Sequence, residues 1–215
     1  MDGSATLRRD AGRESGLTLL EILVAGTVLM VAGSVGMPAF FNYMHRAKLE
    51  GAARETVMML HASRLEAITR GRPAVVAVEE GSGELVAFAD LDGENTGDPP
   101  DGIFNPVSGK GPRETDYELG RLRLPSGVML LDPAGNEGVD AVDGFANPVP
   151  LQSKVAFFRI DGSAAGDGAF RLADRRGNFV EARIAAASTA RVELRKWDGS
   201  VWREQGEGGS AWTWR

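Results

Sequence analysis

A single carboxylate lies near the start of a long apolar run, where an ionised side chain is costly. Glu21 is the one charged residue of the run at positions 17–41. As a helix this run would extend about 37 Å, enough to cross the hydrocarbon core of a bilayer. An ionised carboxylate there costs about 2.5–3.5 kcal/mol on insertion scales, so it needs a partner. The nearest cations, Arg13 and Arg46, lie outside the run. We therefore expect the partner to be another molecule or a newly formed amino terminus.

A second group of side chains has the composition of a cation site. Residues 90–101 combine carboxylates, an asparagine and glycines, and calcium is bound by oxygen ligands of this kind. The spacing departs from an EF-hand loop, because the twelfth position is aspartate and two prolines interrupt the segment. Two interpretations stay open, a calcium site and a solvated acidic turn, and no other cofactor is expected. The candidate calcium ligands are Asp90, Asp92, Asn95, Asp98 and Asp101.

The carboxy-terminal end combines tryptophans with basic residues. Aromatic rings interleaved with cations can stack on single-stranded nucleic acid. The charge argues against that use, because residues 191–215 hold five bases against four acids. We favour tryptophans that pack on a sheet or dock a neighbouring protein. The candidate residues for contact with DNA or a partner are Arg191, Arg195, Lys196, Trp197 and Trp202.

Composition and charge restrict the class of protein. The 215 residues suffice for one globular head in addition to the apolar run. The 28 glycines, about twice the usual share, favour many turns between short strands. The absence of cysteine excludes disulfides, thiolate metal sites and cysteine nucleophiles. Residues 79–143 hold fifteen acids and four bases, so this region should repel polyanions such as DNA.

The sequence does not indicate an enzyme. The two histidines, His45 and His61, have no catalytic motif around them, and we expect His61 to pack as a partly buried residue on a helix face. The chain has no GxSxG elbow, HExxH helix, phosphate-binding loop or dinucleotide fingerprint. Acids are so frequent that a chance pair would imitate a glycosidase dyad.

The elements that position these residues are a long helix and a series of strands. From Asn42 apolar residues recur at spacings of three and four, which predicts an amphipathic helix. Gly71 suits the cap of this helix and Pro73 blocks its continuation. The face expected to pack on the head consists of Ala53, Val57, Leu60, His61, Arg64, Leu65 and Ile68.

Short segments after Pro73 show the alternation of strands that are wet on one face. They predict antiparallel sheets and an α+β fold, in which a long N-terminal helix packs on a β-sheet or β-sandwich head. The first half of that helix would span the membrane. The predicted strands are 74–78, 84–89, 119–124, 128–131, 154–160, 170–173, 179–186, 191–197 and 201–203.

The peptide Ser15-Gly16-Leu17-Thr18-Leu19-Leu20-Glu21-Ile22-Leu23-Val24 resembles the class III signal of type IV prepilins and type II secretion pseudopilins. The resemblance implies that a prepilin peptidase cuts between Gly16 and Leu17 and that the new amine of Leu17 is methylated. Glu21 matches the acid that pairs with the amino terminus of a neighbouring subunit. Pro38 matches a proline that kinks the family's long helix, since proline removes a helical hydrogen bond. Leu17 departs from the phenylalanine or methionine more usual at its position.

Two further pieces resemble the subgroup of H-type minor pseudopilins (GspH) and the related FimT and FimU minor pilins. They are the helix end Ser63-Arg64-Leu65-Glu66-Ala67-Ile68-Thr69-Arg70-Gly71-Arg72-Pro73 and the stretch Phe158-Arg159-Ile160-Asp161-Gly162-Ser163. The resemblance implies a single-pass precursor in the bacterial inner membrane with a periplasmic head and a lollipop shape. It also implies prepilin peptidase, the inner-membrane assembly platform, lipid, and other minor and major pilins as partners.

The sequence thus predicts four segments and one preferred function. The segments are a leader at 1–16, a membrane and filament-core helix at 17–41, its amphipathic continuation at 42–71 and a β-rich head at 72–215. The preferred function is a minor subunit that primes the tip of a type IV pilus, with an H-type pseudopilin of a type II secretion system as the alternative. A DNA-binding minor pilin and a membrane-anchored periplasmic domain are further alternatives. An ordinary secretory signal is disfavoured, because the run is long, contains an acid and continues in helical pattern.

Overall fold

The computed structural model describes residues 18–79, 81–91, 104, 115–145 and 154–204, which form one long helix and two antiparallel sheets. The chain divides into two compact units, Met1–Asn42 and Tyr43–Arg215, and helix α1 contributes residues to both. The predicted α+β class is therefore confirmed. In chain order the described elements are α1 Leu19–Arg70, β1 Ala74–Val78, β2 Leu85–Ala89, β3 Tyr117–Leu122, β4 Val128–Leu130, β5 Ala156–Phe158, β6 Gly168–Asp174, β7 Phe179–Ala186, β8 Arg191–Trp197 and β9 Trp202–Glu204.

The first unit contains the apolar part of α1. By length and composition α1 could cross a membrane, and its most apolar stretch has a mean hydropathy of 2.0 with none of it buried inside the protein. Leu19, Leu20 and Met30 are examples of large apolar side chains that are largely exposed. A surface of this kind needs lipid or another helix as cover.

The second unit holds both sheets. Sheet A has the strand order β3-β2-β1-β5, and sheet B has the order β4-β6-β7-β8-β9. Every pairing between these strands is antiparallel. Strands 74–78, 179–186 and 191–197 begin and end where the sequence predicts. Elsewhere the predicted boundaries differ, since β3 begins two residues early at Tyr117 and β5 is confined to Ala156–Phe158. Two 3₁₀ turns, Gly138–Ala141 and Ala187–Thr189, were not expected from sequence.

The second half of α1 packs on both sheets within this unit. Leu60 and Ala67 join a core cluster that includes Phe158 and Phe170. A second cluster joins Leu49 and small alanines of α1 to side chains of sheet B. The residues of α1 that are buried in this unit are Leu49, Ala52, Ala53, Thr56, Leu60, Ser63 and Ala67.

The predicted packing face of α1 is therefore wrong in part. Ala53 and Leu60 are buried as expected, but Leu65 is 61% exposed, and Ile68 and His61 are exposed as well. Five of the seven buried positions of α1 hold alanine, serine or threonine, so the buried face is made mostly of small residues, with Leu49 and Leu60. The buried hydroxyls among them are satisfied inside the helix, for example by Thr56 Oγ1 donating to the Ala52 carbonyl at 2.9 Å. A pattern weighted by hydrophobicity does not detect such residues.

Two turns of the head share one sequence and one geometry, Asp-x-x-Gly-Asn. Asp174 Oδ1 accepts hydrogen bonds from the Arg176 and Asn178 amides, at 2.9 and 3.0 Å, and its Oδ2 accepts one from the Asn178 side chain at 2.8 Å. Asp132 makes the same set of bonds within residues 132–136. The glycine of each turn has positive φ, which favours glycine there. Both carboxylates are buried, so the turns fix the ends of β4 and β6.

Candidate assembly site

Glu21 lies in the first turn of α1 and takes part in capping it. The Glu21 amide donates to Thr18 Oγ1 at 3.2 Å, and the Thr18 amide donates to the Glu21 carboxylate at 3.4 Å. This reciprocal pair is a capping box, which satisfies two amides that a helix start leaves without partners. The matching signature, Thr18-Leu19-Leu20-Glu21, is present in the sequence, so the cap could have been predicted from it.

The position of Glu21 in the capping box offsets only part of the free-energy cost of an ionised carboxylate in hydrocarbon. A negative charge near the positive end of the helix dipole gains about 0.3–1 kcal/mol at an exposed site. The cost of an ionised carboxylate within the hydrocarbon is about 2.5–3.5 kcal/mol or more. A cation at Glu21 would therefore still be favourable in a membrane. Gly16 and Leu17, where the amine would be created, lie outside the described residues.

The helix is assigned without interruption through Pro38. The kink implied there by the family resemblance stays a prediction. The expected helix end is confirmed, because α1 ends at Arg70 and Gly71 follows with a φ of +63°. The amide of Arg72 donates to the Ala67 carbonyl at 3.2 Å, which closes the last turn.

The two sequence pieces that resemble the GspH, FimT and FimU subgroup contact each other. Arg64 Nε of the helix donates to the Gly162 carbonyl at 2.8 Å, across 98 positions of sequence. Gly162 has a φ of +80°, and a Cβ added to it would lie 2.6 Å from Ile68 Cδ1. Asp161 Oδ1 braces the same turn by accepting bonds from the Ser163 amide and hydroxyl. The turn therefore depends on glycine at position 162.

The end of α1 is also fastened to the edge strand β3. The Tyr117 hydroxyl donates to Glu66 at 2.8 Å, and Arg70 pairs with the same carboxylate at 2.7 Å. The Arg70 guanidinium lies 6.0 Å from the centre of the Tyr117 ring. Burial, and then the hydrogen bond to Glu66, raise the pKa of Tyr117, so this hydroxyl stays a donor at neutral pH.

The basic candidates near the carboxy terminus lie on β8, where carboxylates pair with their arginines. Arg195 contacts Glu193 at 2.7 Å and Glu204 at 3.1 Å, and Arg191 pairs with Glu193. Lys196 points to the other face of the strand and is 7% exposed. The arginines therefore do not form a surface of uncompensated positive charge.

The aromatic candidates come together, as the interpretation of packed tryptophans expects. The Trp197 and Trp202 rings lie 5.3 Å apart between centroids. The Arg171 guanidinium lies 5.6 Å from the centre of the Trp202 ring, a cation–π distance. Trp202 thus links the edge strand β9 to β6 across sheet B.

A row of alternating charges crosses the same face of sheet B. Arg171 is paired in register with Glu181, Glu181 with Arg195, and Arg195 with Glu204. Arg171 also lies 3.7 Å from Asp132, directly after β4. We call these five residues the charge ladder. No local sequence signal identifies it, because it depends on the register of separate strands.

Glu181 is the buried centre of the charge ladder. Its side chain is 0% exposed, and Oε2 lies 3.4 Å from Arg171 Nε. Its Oε1 has no hydrogen-bond partner among the described residues. Burial raises the pKa of Glu181, and the attraction of Arg183, Arg171 and Arg195 opposes that rise.

Most of the candidate calcium ligands lie outside the described residues, namely Asp92, Asn95, Asp98 and Asp101. Asp90 is described and is buried, with its amide donating to the Pro73 carbonyl at 3.1 Å. Within the described ranges there is no group of three or more acids or histidines that could hold a metal ion. The calcium site stays a prediction.

Comparison with known proteins gives structural matches. No protein-family model and no curated sequence matches the chain. The type IV minor pilin FimU of Pseudomonas aeruginosa is similar, with a TM-score of 0.42, 14% identity, and coverage of 71% of this chain and 91% of that one. The minor pseudopilin EpsH of the type 2 secretion system of Vibrio cholerae is similar with a TM-score of 0.39, 12% identity, and coverage of 70% and 96%.

Proposed function

We propose that this chain is a minor subunit of a type IV pilus that enters the filament tip and primes assembly. The observation that carries the proposal is the position of Glu21. It is the one charge in the apolar run at positions 17–41, and it lies within the peptide that resembles the class III signal. A simple membrane anchor accounts for the length of the run but not for the acid.

In this proposal the chain is made as a single-pass protein of the inner membrane. Prepilin peptidase removes residues 1–16 and the amine of Leu17 is methylated. That amine then pairs with the Glu21 carboxylate of a neighbouring subunit, and the pairing sets the axial register in the filament core. The capping box supports this role, because it holds the Glu21 carboxylate at the helix start before the partner arrives.

The head would contact other minor pilins near the tip. In the second unit, which contains the head, Arg64 and Glu66 of α1 form hydrogen bonds to the Gly162 carbonyl and the Tyr117 hydroxyl. The edge strand β9 is bound to β8 by the ion pair between Glu204 and Arg195 of the charge ladder. A rigid head of this kind suits a connective role. The pilus is preferred over a type II secretion pseudopilus because the acidic segments that the sequence predicts as loops, 90–118 and 132–152, are longer than such heads need, which suits a specialised tip contact.

Processing of the natural chain tests the proposal. Mass spectrometry of the protein purified from its own membranes should show an amino terminus at Leu17 that carries one methyl group. An intact leader, or a cut at another position, would contradict the proposal and indicate a membrane-anchored periplasmic domain instead. Deletion of the gene distinguishes the two machines. A pilus subunit is indicated if surface pili are lost, and a pseudopilus subunit is indicated if type II secretion is lost.

A further inference from the structure

An open cleft of about 390 Å³ lies where the chain passes from sheet A to sheet B. It forms between the turn joining β1 to β2, the end of β3, strand β4 and the start of the first 3₁₀ turn. Gly83 and Gly138 lie at its walls, and neither has a heavy atom within 4 Å of an added Cβ, so side chains do not obstruct it there. The volume is in the range of sites that bind small groups.

The lining of the cleft combines apolar and acidic residues. Leu124, Val128 and Met129 provide apolar surface, and Glu84 and Glu137 provide carboxylates. Such a combination fits a lysine or arginine side chain, whose stem packs on apolar atoms while its head binds carboxylates.

The charge around Glu84 favours a cation over an anion. Arg121 contacts Glu79 at 2.6 Å, Glu118 at 3.2 Å and Glu84 at 3.3 Å, so three carboxylates share one guanidinium. Arg123 is the second base of the group. Glu137 makes no ion pair with any residue in the described ranges. Of these groups only Glu84, Glu137 and Arg123 line the cleft, so its lining holds two carboxylates and one guanidinium.

Arg123 already occupies the anionic position in the cleft. Its Nε contacts Glu84 Oε1 at 2.6 Å, while its side chain stays 84% exposed and the Glu84 side chain is 11% exposed. The hydrogen bond from Arg123 holds the pKa of Glu84 below its usual value, so Glu84 is ionised at neutral pH. Arg123 is bound to Glu84 through one nitrogen and is otherwise in solvent, so a second base that satisfies the same carboxylate could replace it.

We propose that this cleft receives an arginine or lysine side chain from a neighbouring subunit, and that Arg123 acts as a tethered occupant until that side chain arrives. The choice of a subunit as partner rests on the proposed function, which requires contacts between heads. The choice of a basic side chain rests on the excess of carboxylates over bases in the lining and on the apolar residues that line the cleft beside them.

Peptide titration of the full chain in detergent micelles tests the inference. The probes are acetyl-Leu-Arg-Leu-amide and the matched acetyl-Leu-Glu-Leu-amide, and the signal is the ¹³C-labelled methyl group of Met129, assigned with Met129→Leu. The arginine peptide should shift this methyl saturably and the glutamate peptide should not. Glu137→Gln should weaken binding about two- to fivefold, the range of an exposed ion pair.

The direction of the change in affinity caused by Arg123→Gln is the decisive result. Because this substitution removes a competing cation, it should tighten binding of the arginine peptide about two- to fivefold. The control Glu55→Gln, an exposed helix glutamate, should leave binding unchanged. Equal responses to the two peptides, unchanged or weaker binding by Arg123→Gln, or an equal effect of Glu55→Gln would overturn the inference. If the chain is processed at Leu17 but binds no peptide, only the proposed binding by the cleft is refuted. If the chain binds the peptide but keeps its leader, only the proposed filament role is refuted.

Discussion

Glu21→Gln separates the capping role that the structure shows for this residue from the charge-pairing role that we propose for it. Glutamine keeps the size of glutamate and can still accept the hydrogen bond from the Thr18 amide, so the capping box survives. The substitution removes only the charge. Thr18→Ala is the matched control, because it removes the hydroxyl that caps the Glu21 amide and leaves the carboxylate ionised.

The expected magnitudes differ between the two variants. In a filament, Glu21→Gln would leave the methylated amine of a neighbour buried without its partner, which costs about 3–5 kcal/mol. At about 1.4 kcal/mol per factor of ten, incorporation should fall by about 100-fold or more. Loss of a threonine cap costs about 0.5–2 kcal/mol, so Thr18→Ala should reduce incorporation by about two- to thirtyfold.

The assay is the ratio of the chain in sheared filaments to the chain left in membranes, measured by immunoblot after expression at native level. Membrane insertion of Glu21→Gln should be at least as efficient as that of the wild type, since the costly charge is gone. Leader cleavage should be checked for each variant by mass spectrometry. Wild-type incorporation of Glu21→Gln together with a defect in Thr18→Ala would refute charge pairing and leave Glu21 with a capping role only.

Three further predictions concern the head. Gly162→Ala should lower the free energy of unfolding by about 1–3 kcal/mol, because φ is +80° and the new methyl meets Ile68, and Ile68→Ala in the same chain should recover part of the loss in a denaturant titration. Asn178→Ala should cost about 1–3 kcal/mol, since it leaves a buried Asp174 oxygen without its side-chain donor, whereas equal stability of variant and wild type would contradict that role. Burial raises the pKa of Glu181 above its ordinary value of 4.5, so the folded state binds a proton at this carboxylate more tightly than the unfolded state does. The free energy of unfolding should therefore gain a contribution from Glu181 as the pH falls through the folded-state pKa toward 4.5. Glu181→Gln should therefore lose this gain on acidification, which the difference between the pH profiles of variant and wild type measures.

Local features of the sequence were sufficient to predict the elements and the position of Glu21. The apolar run, the glycine and proline after Arg70, and the alternation in the strands act over a few residues, so they specify helix, cap and strand without knowledge of the rest of the chain. The α+β class and the end of α1 were correct for that reason. The capping box is an equally local feature, because Thr18 and Glu21 are three positions apart, and it could have been predicted from the sequence.

The tertiary structure decided what depends on residues far apart in sequence. Burial of Ser63 and Ala67 in place of Leu65 depends on which face of α1 packs on the two sheets, and the hydrophobicity of the helix residues does not specify that face. The charge ladder exists only because strand register places Glu181 beside Arg171, and the contact of Arg64 with Gly162 spans 98 positions. The sequence by itself therefore determined the helix, the charge within its apolar run and its end, whereas helix packing and strand register decided which side chains meet.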